Sequence, residues 1–372
     1  MHGGNDSDGW CDMRFINTKL LEKDMKLGKS LFDQKGRLLL PEGTCLKDNY
    51  IRKIQRLGYN GIYIDDVLSQ GITVNDVVDV ETRIEAVQVI KGTYSRLERG
   101  MYHHLQAAEA QLRTAVDNIV SEILMNNEIM INMVDLKMYD DYTFFHSTNV
   151  AVIAVVIGTA LGFSRQDLYE LCMAGMLHDL GKICIPDAIL NKPDRLTDDE
   201  MALIQTHPEQ GYDVVKKKMN LPTRTYVAIL QHHERIDGEG YPEGRTGERI
   251  TLFARILSIA DVYDALTSDR PYRRGWSPSE AVEYILGNCG SAFDRDLVEV
   301  FYRKISPYPA GTIVSLNDGR RGIVIRNHEG CGLRPTLKII SRDGKPVDAY
   351  LLDLRGDDTS TVVIAKEGVE PN

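Results

Sequence analysis

Residues His232–Pro242 read His-His-Glu-Arg-Ile-Asp-Gly-Glu-Gly-Tyr-Pro, so two adjacent histidines run directly into a glycine-rich polar turn. Histidine is the commonest metal ligand, and glycines let the backbone bend back toward such ligands. A second polar cluster, His178 and Asp179 with Gly181 and Lys182, ends an apolar stretch that has the pattern of a helix. We interpret these two stretches as parts of one site rather than of a core.

The residues follow one another along the chain in the order His146, His178-Asp179, His207, His232–Pro242 and Asp261. This ordered set resembles the HD-GYP family of bacterial cyclic-dinucleotide phosphodiesterases. That family is a branch of the HD metal-dependent phosphohydrolases. The resemblance runs from about residue 141 to about residue 274 and includes the run Ile-Ala-Asp-Val-Tyr-Asp-Ala-Leu-Thr at 259–267. One His-Asp pair alone would carry little information, but the whole ordered set is specific.

The resemblance implies a dinuclear metal site with a bridging hydroxide as the nucleophile. The implied ligands are His146, His178, Asp179 and Asp261 for one ion, and Asp179, His207, His232 and His233 for the other. Nitrogen and oxygen ligands without thiolates favour iron or manganese, with zinc as an alternative. Some family members bind a third ion through a glutamate one helical turn before the first histidine, but Tyr142 occupies that position here. We therefore expect two ions.

Positive charge for an anionic substrate lies close to these ligands. The resemblance implies substrate contacts at Lys182, Asp264, Arg270, Arg273 and Tyr241. It also implies a catalytic role for Lys182, at the reacting phosphate, beside the metal-bridging Asp179. Tyr241 is expected to shape its loop or to stack rather than to perform chemistry.

The implied activity is hydrolysis of cyclic di-GMP to pGpG, with GMP as a further product. Two alternatives remain open at this point: a phosphodiesterase for 3'3'-cyclic GMP-AMP, and a cyclic-dinucleotide sensor or interaction module without turnover. The complete ligand set favours an enzyme, because the loss of one ligand greatly weakens metal binding.

Composition excludes several other classes of protein. The chain has 372 residues, of which 43% are hydrophobic, and a formal net charge of −10, which argues against binding to polymeric nucleic acid. Its six cysteines have no Cys-x-x-Cys spacing, so neither a zinc ribbon nor a disulfide framework is predicted. The contiguous apolar run at 150–163 is shorter than the roughly 18–20 residues of a membrane span. No membrane span is predicted, and the polar N-terminus, unlike a signal peptide, predicts a cytoplasmic protein.

The pattern predicts a mainly α protein with an all-helical HD-type catalytic domain between two small modules. The predicted segments are a disordered tail at 1–12, a small α+β module at 13–70, a helical linker at 71–125, the catalytic domain at 126–306 and a small antiparallel β module at 307–372. The linker has apolar residues at helical spacing. It is either the stalk of a homodimer or a helix packed on the core of its own domain, and the periodicity does not separate these alternatives.

Helix boundaries inside the catalytic segment follow from capping residues. Ser164, Thr197 and Ser277 each precede an acidic residue three positions later, a pattern that predicts helix starts near 165, 198 and 278. His207 precedes Pro208, and we expect it within a helix that breaks or kinks there.

Overall fold

Strands from both ends of the chain form one compact unit, and the helices between them form a second. The structure, a computed structural model, describes residues 12–33, 37–57, 59, 61–101, 105–126, 130–131, 142–192, 194–268 and 275–367. The predicted tail lies almost wholly outside these ranges. The predicted fold class, mainly α with small β modules, is confirmed.

In the part of the chain that the structure describes, the first unit combines three antiparallel sheets with one α-helix. Its elements are β1 (Arg14–Asn17), β2 (Lys26–Leu27), β3 (Leu31–Phe32), β4 (Leu38–Leu40), α1 (Asp48–Arg56), β5 (Gly61–Asp65), β6 (Ile313–Leu316), β7 (Arg320–Arg326), β8 (Thr336–Arg342), β9 (Lys345–Asp353) and β10 (Ile364–Glu367). The strand orders are β1-β5-β2, β3-β4 and β10-β6-β7-β8-β9. A buried cluster joins residues from both ends of the chain: Met13, Tyr63, Ile72, Val74 and Ile323. The two modules that the sequence suggests as separate therefore share a core, while the exact predicted boundaries stay predictions.

The hairpin between β8 and β9 shows how local sequence sets register in this unit. Asp343 and Gly344 both have positive φ, 50° and 76°, which matches the backbone twist of a tight antiparallel turn. The turn was predicted, but strand β9 after it was not. Its sequence, Lys-Pro-Val-Asp-Ala-Tyr-Leu-Leu-Asp, mixes proline and aspartate with apolar residues, and most of it is exposed at the sheet edge.

The second unit is helical and contains residues 76–125 of the predicted linker together with most of the catalytic segment, while residues 71–75 belong to the first unit. Its helices are α2 (Val80–Glu98), α3 (Leu105–Met125), α4 (Tyr142–Ala160), α5 (Arg165–Leu177), α6 (Asp187–Leu190), α7 (Asp198–Ile204), α8 (His207–Lys218), α9 (Thr223–Gln231), α10 (Leu252–Thr267), α11 (Pro278–Gly287) and α12 (Arg295–Lys304). The predicted starts of α5, α7 and α11 are confirmed, because Ser164, Thr197 and Ser277 accept the backbone N–H three residues later. These bonds satisfy donors that a helix leaves open at its first turn.

Helices α4 and α5 form the packed centre of this unit. A Cβ placed on Gly175 would lie 2.7 Å from Cα of Ala151, so only glycine permits the observed approach of the two backbones. The close contact brings His146, in the first turns of α4, next to His178 at the end of α5, with ring centroids 5.2 Å apart.

Helix α4 is also apolar enough to be compared with a membrane span. Among the described residues, the segment Thr143–Ala160 has the length and composition of a span, with a mean hydropathy of 1.5, and is longer than the contiguous run noted in the sequence. However, 78% of the segment is buried inside the protein, as in the core helix of a water-soluble domain. This finding is weak support for a span, and the predicted location stays a prediction.

Candidate metal centre

Three histidines of the site are oriented by their own backbone. In each, Nδ1 lies close to the carbonyl oxygen three residues earlier: Gly175 at 2.8 Å from His178, Ile204 at 2.8 Å from His207, and Ile229 at 2.6 Å from His232. A carbonyl oxygen only accepts hydrogen bonds, so Nδ1 carries the hydrogen in all three rings. Each Nε2 is then left with a lone pair that can bind a cation.

His146 is oriented by a side chain instead. Its Nδ1 lies 2.7 Å from Oδ2 of Asp264, and its Nε2 faces Asp261 at 2.9 Å from Oδ1. A carboxylate behind a metal-ligating histidine fixes the ring and raises its basicity. Asp264 is 1% exposed and also accepts from Asn149 Nδ2 at 2.8 Å and from Ser268 Oγ at 3.2 Å.

Asp179 lies between two groups of histidines. Its Oδ2 is 3.5 Å from Nε2 of His178 and 3.9 Å from Nε2 of His146, while its Oδ1 is 3.4 Å from Nε2 of His207. The two oxygens therefore face different ligand sets. This is the geometry that a carboxylate needs to bridge two cations.

Asp261 and His233 complete the centre. Asp261 Oδ2 lies 3.7 Å from Nδ1 of His233, whose ring stacks on Tyr241 with centroids 4.7 Å apart and planes at 29°. Ligand atoms within 4.8 Å of one another form three overlapping groups: His207, His232 and His233; His146, His178 and Asp179; and His178, His232 and Asp261. The structure thus brings together all seven residues that the sequence suggested as ligands.

Bound cations explain the arrangement of the ligand atoms better than contacts among these atoms do. Nε2 of His207 and Nε2 of His232 lie 3.3 Å apart, although both carry lone pairs because the hydrogens are on Nδ1. Two acceptors at this separation repel unless a cation lies between or beside them. Nε2 of His178 and Oδ1 of Asp179 are also buried without a hydrogen-bond partner among the described residues. Such groups are costly unless an ion satisfies them.

The protonation states also suit metal binding. Burial lowers the pKa of His178, lowers that of His232 well below its usual range with help from neighbouring imidazoles, and lowers that of His233 to about 3. Burial acts to raise the pKa of Asp179, but the positive charge of Lys182 and the nearby histidines hold it well below normal. Neutral imidazoles and an ionised carboxylate are the forms that bind divalent cations.

Two glycine contacts shape the surroundings of the centre. A Cβ on Gly181 would lie 1.9 Å from the carbonyl oxygen of His207, so glycine lets the turn after α5 lie against the start of α8. A Cβ on Gly240 would lie 2.5 Å from the carbonyl oxygen of His233. These close approaches explain why glycines accompany the ligands in the sequence.

Lys182 lies at the edge of the centre. Its Nζ is 2.5 Å from Oδ2 of Asp179, and its side chain is 26% exposed, so it reaches both the Asp179 carboxylate and solvent. The lysine can therefore meet an anion approaching from solvent.

Several sequence predictions are revised or lie elsewhere. Asp264, which was predicted to contact substrate, is buried and hydrogen-bonded to His146, and its contact with substrate stays a prediction. His207 was expected within a helix, whereas it is the first residue of α8 with Pro208 following, a position that tolerates proline. Arg270 and Arg273 lie outside the described residues, as does the side chain of Tyr142.

Sequence reasoning missed buried polar residues that support the ligands. Glu234, 2% exposed, accepts from the backbone N–H groups of Glu243 and Arg245, both at 2.8 Å, and so holds the loop that contains Tyr241. Asn149 and Arg83 form a further hydrogen-bonded chain behind Asp264. A polar residue in an apolar helical stretch, such as Asn149 in α4, was the available signal.

Comparison with known proteins is consistent with this geometry. A family model described as "HD domain" matches residues 118–297. Residues 118–297 are an HD domain. This confirms the family predicted from the ordered motifs. A second model, "KOW domain associated with HD domain", matches residues 313–369.

Relatives of the HD domain include named phosphodiesterases. The chain is 37% identical over 259 residues to the cyclic di-GMP phosphodiesterase PA4108 of Pseudomonas aeruginosa, covering 69% of this chain and 61% of that protein. It is 43% identical over 152 residues to the cyclic di-GMP phosphodiesterase response regulator RpfG of Xanthomonas campestris pv. campestris, covering 41% and 40%. It is also 34% identical over 177 residues to 3'3'-cGAMP-specific phosphodiesterase 3 of Vibrio cholerae, covering 48% and 38%. The chain thus spans about three fifths or less of the length of these relatives.

Proposed function

We propose that this protein hydrolyses a cyclic dinucleotide, with cyclic di-GMP as the substrate, at a dinuclear metal centre. The observation that carries the proposal is Asp179, whose two oxygens face two separate sets of histidines. The names of the relatives support the substrate class, and PA4108 and RpfG support cyclic di-GMP in particular. HD domains are metal-dependent phosphohydrolases, and a cluster of this composition suits that chemistry.

The two ligand sets are assigned as follows. His146, His178, Asp179 and Asp261 would hold one ion, and Asp179, His207, His232 and His233 the other. Such a pair of divalent cations lowers the pKa of water and offsets the charge that develops on a phosphodiester. The nitrogen and oxygen donors suit iron or manganese, with zinc as an alternative.

The remaining residues of the site act on the substrate. Lys182 would meet the reacting phosphate from the solvent side, where negative charge grows during attack by water. Tyr241 stacks on His233 and would hold that ring in place, and its contact with substrate stays a proposal. Arg270 and Arg273 stay proposals as contacts to a guanine or a phosphate away from the scissile bond.

Products and specificity belong to the same proposal. The primary product would be pGpG, with GMP as a further product. A second candidate substrate is 3'3'-cyclic GMP-AMP, which the name of the Vibrio relative favours. A sensor without turnover is the least favoured alternative, since none of the seven ligand positions is lost.

The decisive test measures metal content and turnover together. The purified chain, loaded anaerobically with Fe(II) or aerobically with Mn(II), is assayed with labelled cyclic di-GMP and 3'3'-cyclic GMP-AMP. We expect metal-dependent release of pGpG, with cyclic di-GMP preferred. Faster turnover of the hybrid dinucleotide would reassign the substrate, and metal binding without hydrolysis of either would favour the sensor.

Two wider predictions also remain proposals. The protein would be cytoplasmic and would form a homodimer through the helical region at 71–125. Light scattering of the full chain, before and after substitution of the exposed Met125 at the end of α3, would test the dimer.

A further inference from the structure

A chain of buried hydrogen bonds leads from helix α2 to the metal centre. Arg83 Nη2 donates to Asn149 Oδ1 at 2.8 Å, Asn149 Nδ2 donates to Asp264 Oδ1 at 2.8 Å, and Asp264 Oδ2 accepts from His146 Nδ1 at 2.7 Å. Each of these four side chains is at most 7% exposed. Helix α2 precedes the segment 118–297 that matches the HD domain model. Arg83 lies outside the matched domain and is therefore connected to the candidate ligand His146 by three hydrogen bonds.

We propose that Arg83 is a positioning residue that sets the orientation and tautomer of His146 through Asn149 and Asp264. Helix α2 is then a functional part of the metal centre and not only a linker. This inference rests on the proposed metal site, in which His146 is a ligand.

The direction of the hydrogen bonds follows from Arg83. A guanidinium has donors and no acceptor, so the atom of Asn149 that faces it must be the amide oxygen. The amide nitrogen then faces Asp264 and donates to Oδ1. If Asn149 were turned over, its N–H groups would face the guanidinium and its oxygen would face a carboxylate, and both contacts would be repulsive. Arg83 and the carboxylate of Asp264 therefore exclude the same one of the two orientations of Asn149, and Arg83 holds the amide oxygen from the other end.

The direction of these hydrogen bonds also determines which ring nitrogen of His146 carries the hydrogen. With Oδ1 of Asp264 fixed by Asn149, Oδ2 is directed at Nδ1 of His146 and requires the hydrogen there. Nε2 is then the lone-pair atom that faces Asp179 and Asp261. Asp264 alone could accept the hydrogen, but Arg83 and Asn149 restrict the carboxylate to one rotation.

Helix α2 has a separate apolar anchor on α4, so the role of Arg83 can be tested without detaching the helix. Tyr94 packs edge-on against Phe144, with ring centroids 5.4 Å apart. Arg96 on the same helix contacts Gln111 of α3 at 3.4 Å and is not connected to the metal ligands by the hydrogen bonds described. Arg96→Met is therefore a matched control for Arg83→Met.

The experiment measures the Kd of Mn(II) for the full chain by competition with a chromophoric chelator. Loss of a residue directly behind a metal ligand costs about 10–100-fold in affinity, so we expect the more remote Arg83→Met to weaken Mn(II) binding by about 5–10-fold. Arg83→Lys, which keeps the charge but not the fork of donors, should lie between wild type and Arg83→Met. Arg96→Met should bind as wild type does.

Two further measurements separate positioning from general destabilisation. In a double-mutant cycle, Arg83→Met added to Asn149→Ala should cause little further loss, because Asn149→Ala already breaks the chain. Nitrogen NMR of histidine-labelled protein loaded with diamagnetic Zn(II) should show one set of His146 ring signals in wild type and a second, shifted set in either variant. If Arg83→Met does not fold, Arg83→Lys and Asn149→Ala carry the same test.

Several outcomes would overturn the inference. Folded Arg83→Met with an Mn(II) affinity within twofold of wild type would do so, as would full additivity with Asn149→Ala or an equal loss in Arg96→Met. In each case wild type would still bind Mn(II), and the proposed function would stand. Failure of wild type to bind Mn(II) would overturn the metal site and this inference with it.

Discussion

The histidines of the metal centre are held by two different means. In one group, His178, His207 and His232, the Nδ1–H donates to the backbone carbonyl oxygen three residues earlier. In the other, the Nδ1–H of His146 donates to the side chain of Asp264, which in turn accepts from Asn149. The first arrangement is local to the ends of helices. The second joins residues more than a hundred positions apart.

This difference identifies which histidine can be reoriented by substituting residues that are not themselves ligands. A backbone carbonyl cannot be removed by substitution, so the first group is set once the helix ends are formed. The side-chain arrangement can be weakened one bond at a time without touching a ligand. Substitutions outside the ligand set should therefore change metal affinity mainly through His146, and the following predictions test this contrast.

The largest effect is expected at Asp179, which the two proposed ion sites share. Asp179→Asn keeps the shape of the side chain but removes the charge that both ions require, so we expect most of the bound metal to be lost. Turnover should fall by about 10³-fold or more, since bound cations supply several kcal/mol of transition-state stabilisation. Elemental analysis and a hydrolysis assay measure the two losses. Asp213→Asn, which changes an exposed aspartate on α8 paired with Lys217, is the control and should leave both unchanged.

Lys182 contacts the carboxylate of Asp179 but is not itself a proposed metal ligand. Lys182→Ala should lower kcat by about 10²-fold, the lower range for loss of one electrostatic donor, and should also weaken substrate binding. Metal content should stay near that of wild type. Steady-state kinetics with metal analysis of the same sample distinguishes this from a structural role. A parallel loss of metal would show that Lys182 stabilises the ligand set instead.

Asp264 tests the side-chain half of the contrast directly. Asp264→Asn removes the charged acceptor from behind His146 and should weaken metal binding by about 10–100-fold. The measurement is the Kd of Mn(II) by chelator competition at fixed pH. Unchanged affinity would mean that His146 needs no orienting group, and the distinction between the two groups would be lost.

The smallest effect is expected at His233, which is held by ring stacking on Tyr241. Aromatic pairs contribute about 0.5–1.5 kcal/mol, so Tyr241→Leu should weaken substrate or metal binding by about 2–10-fold. Tyr241→Phe keeps the ring and should stay close to wild type. A large loss in the phenylalanine variant would show that the hydroxyl, and not the ring, performs the function.

The candidate ligands were predicted from the order of their motifs along the chain, and several helix ends from local signals. Adjacent His-Asp and His-His pairs, the glycines beside them, and capping residues such as Ser164 and Thr197 are readable within a few positions. Gly181 and Gly240 also stood out in the sequence because they lie beside candidate ligands. The structure explains both glycines, since their backbones lie close to the carbonyl oxygens of His207 and His233.

The supporting residues could not be predicted, because their partners are distant in sequence. Asp261 and Asp264 lie three positions apart in α10, and nothing in that helix tells which carboxylate faces the ions and which lies behind His146. The bond between Asp264 and His146 spans 118 positions, and the bond between Arg83 and Asn149 spans 66. Burial of these polar groups is decided by the packing of α2, α4 and α10, which a single sequence does not show.

The central claim is that Asp179 joins two cation sites, and the most direct test is anomalous diffraction from crystals of the Mn(II)-loaded protein. The account predicts two peaks about 3.5–4 Å apart, the usual separation in dinuclear sites, with one oxygen of Asp179 bound at each. The histidines of the two sets should bind different peaks. A single peak, a second peak that does not touch Asp179, or a third peak beside them would contradict the account.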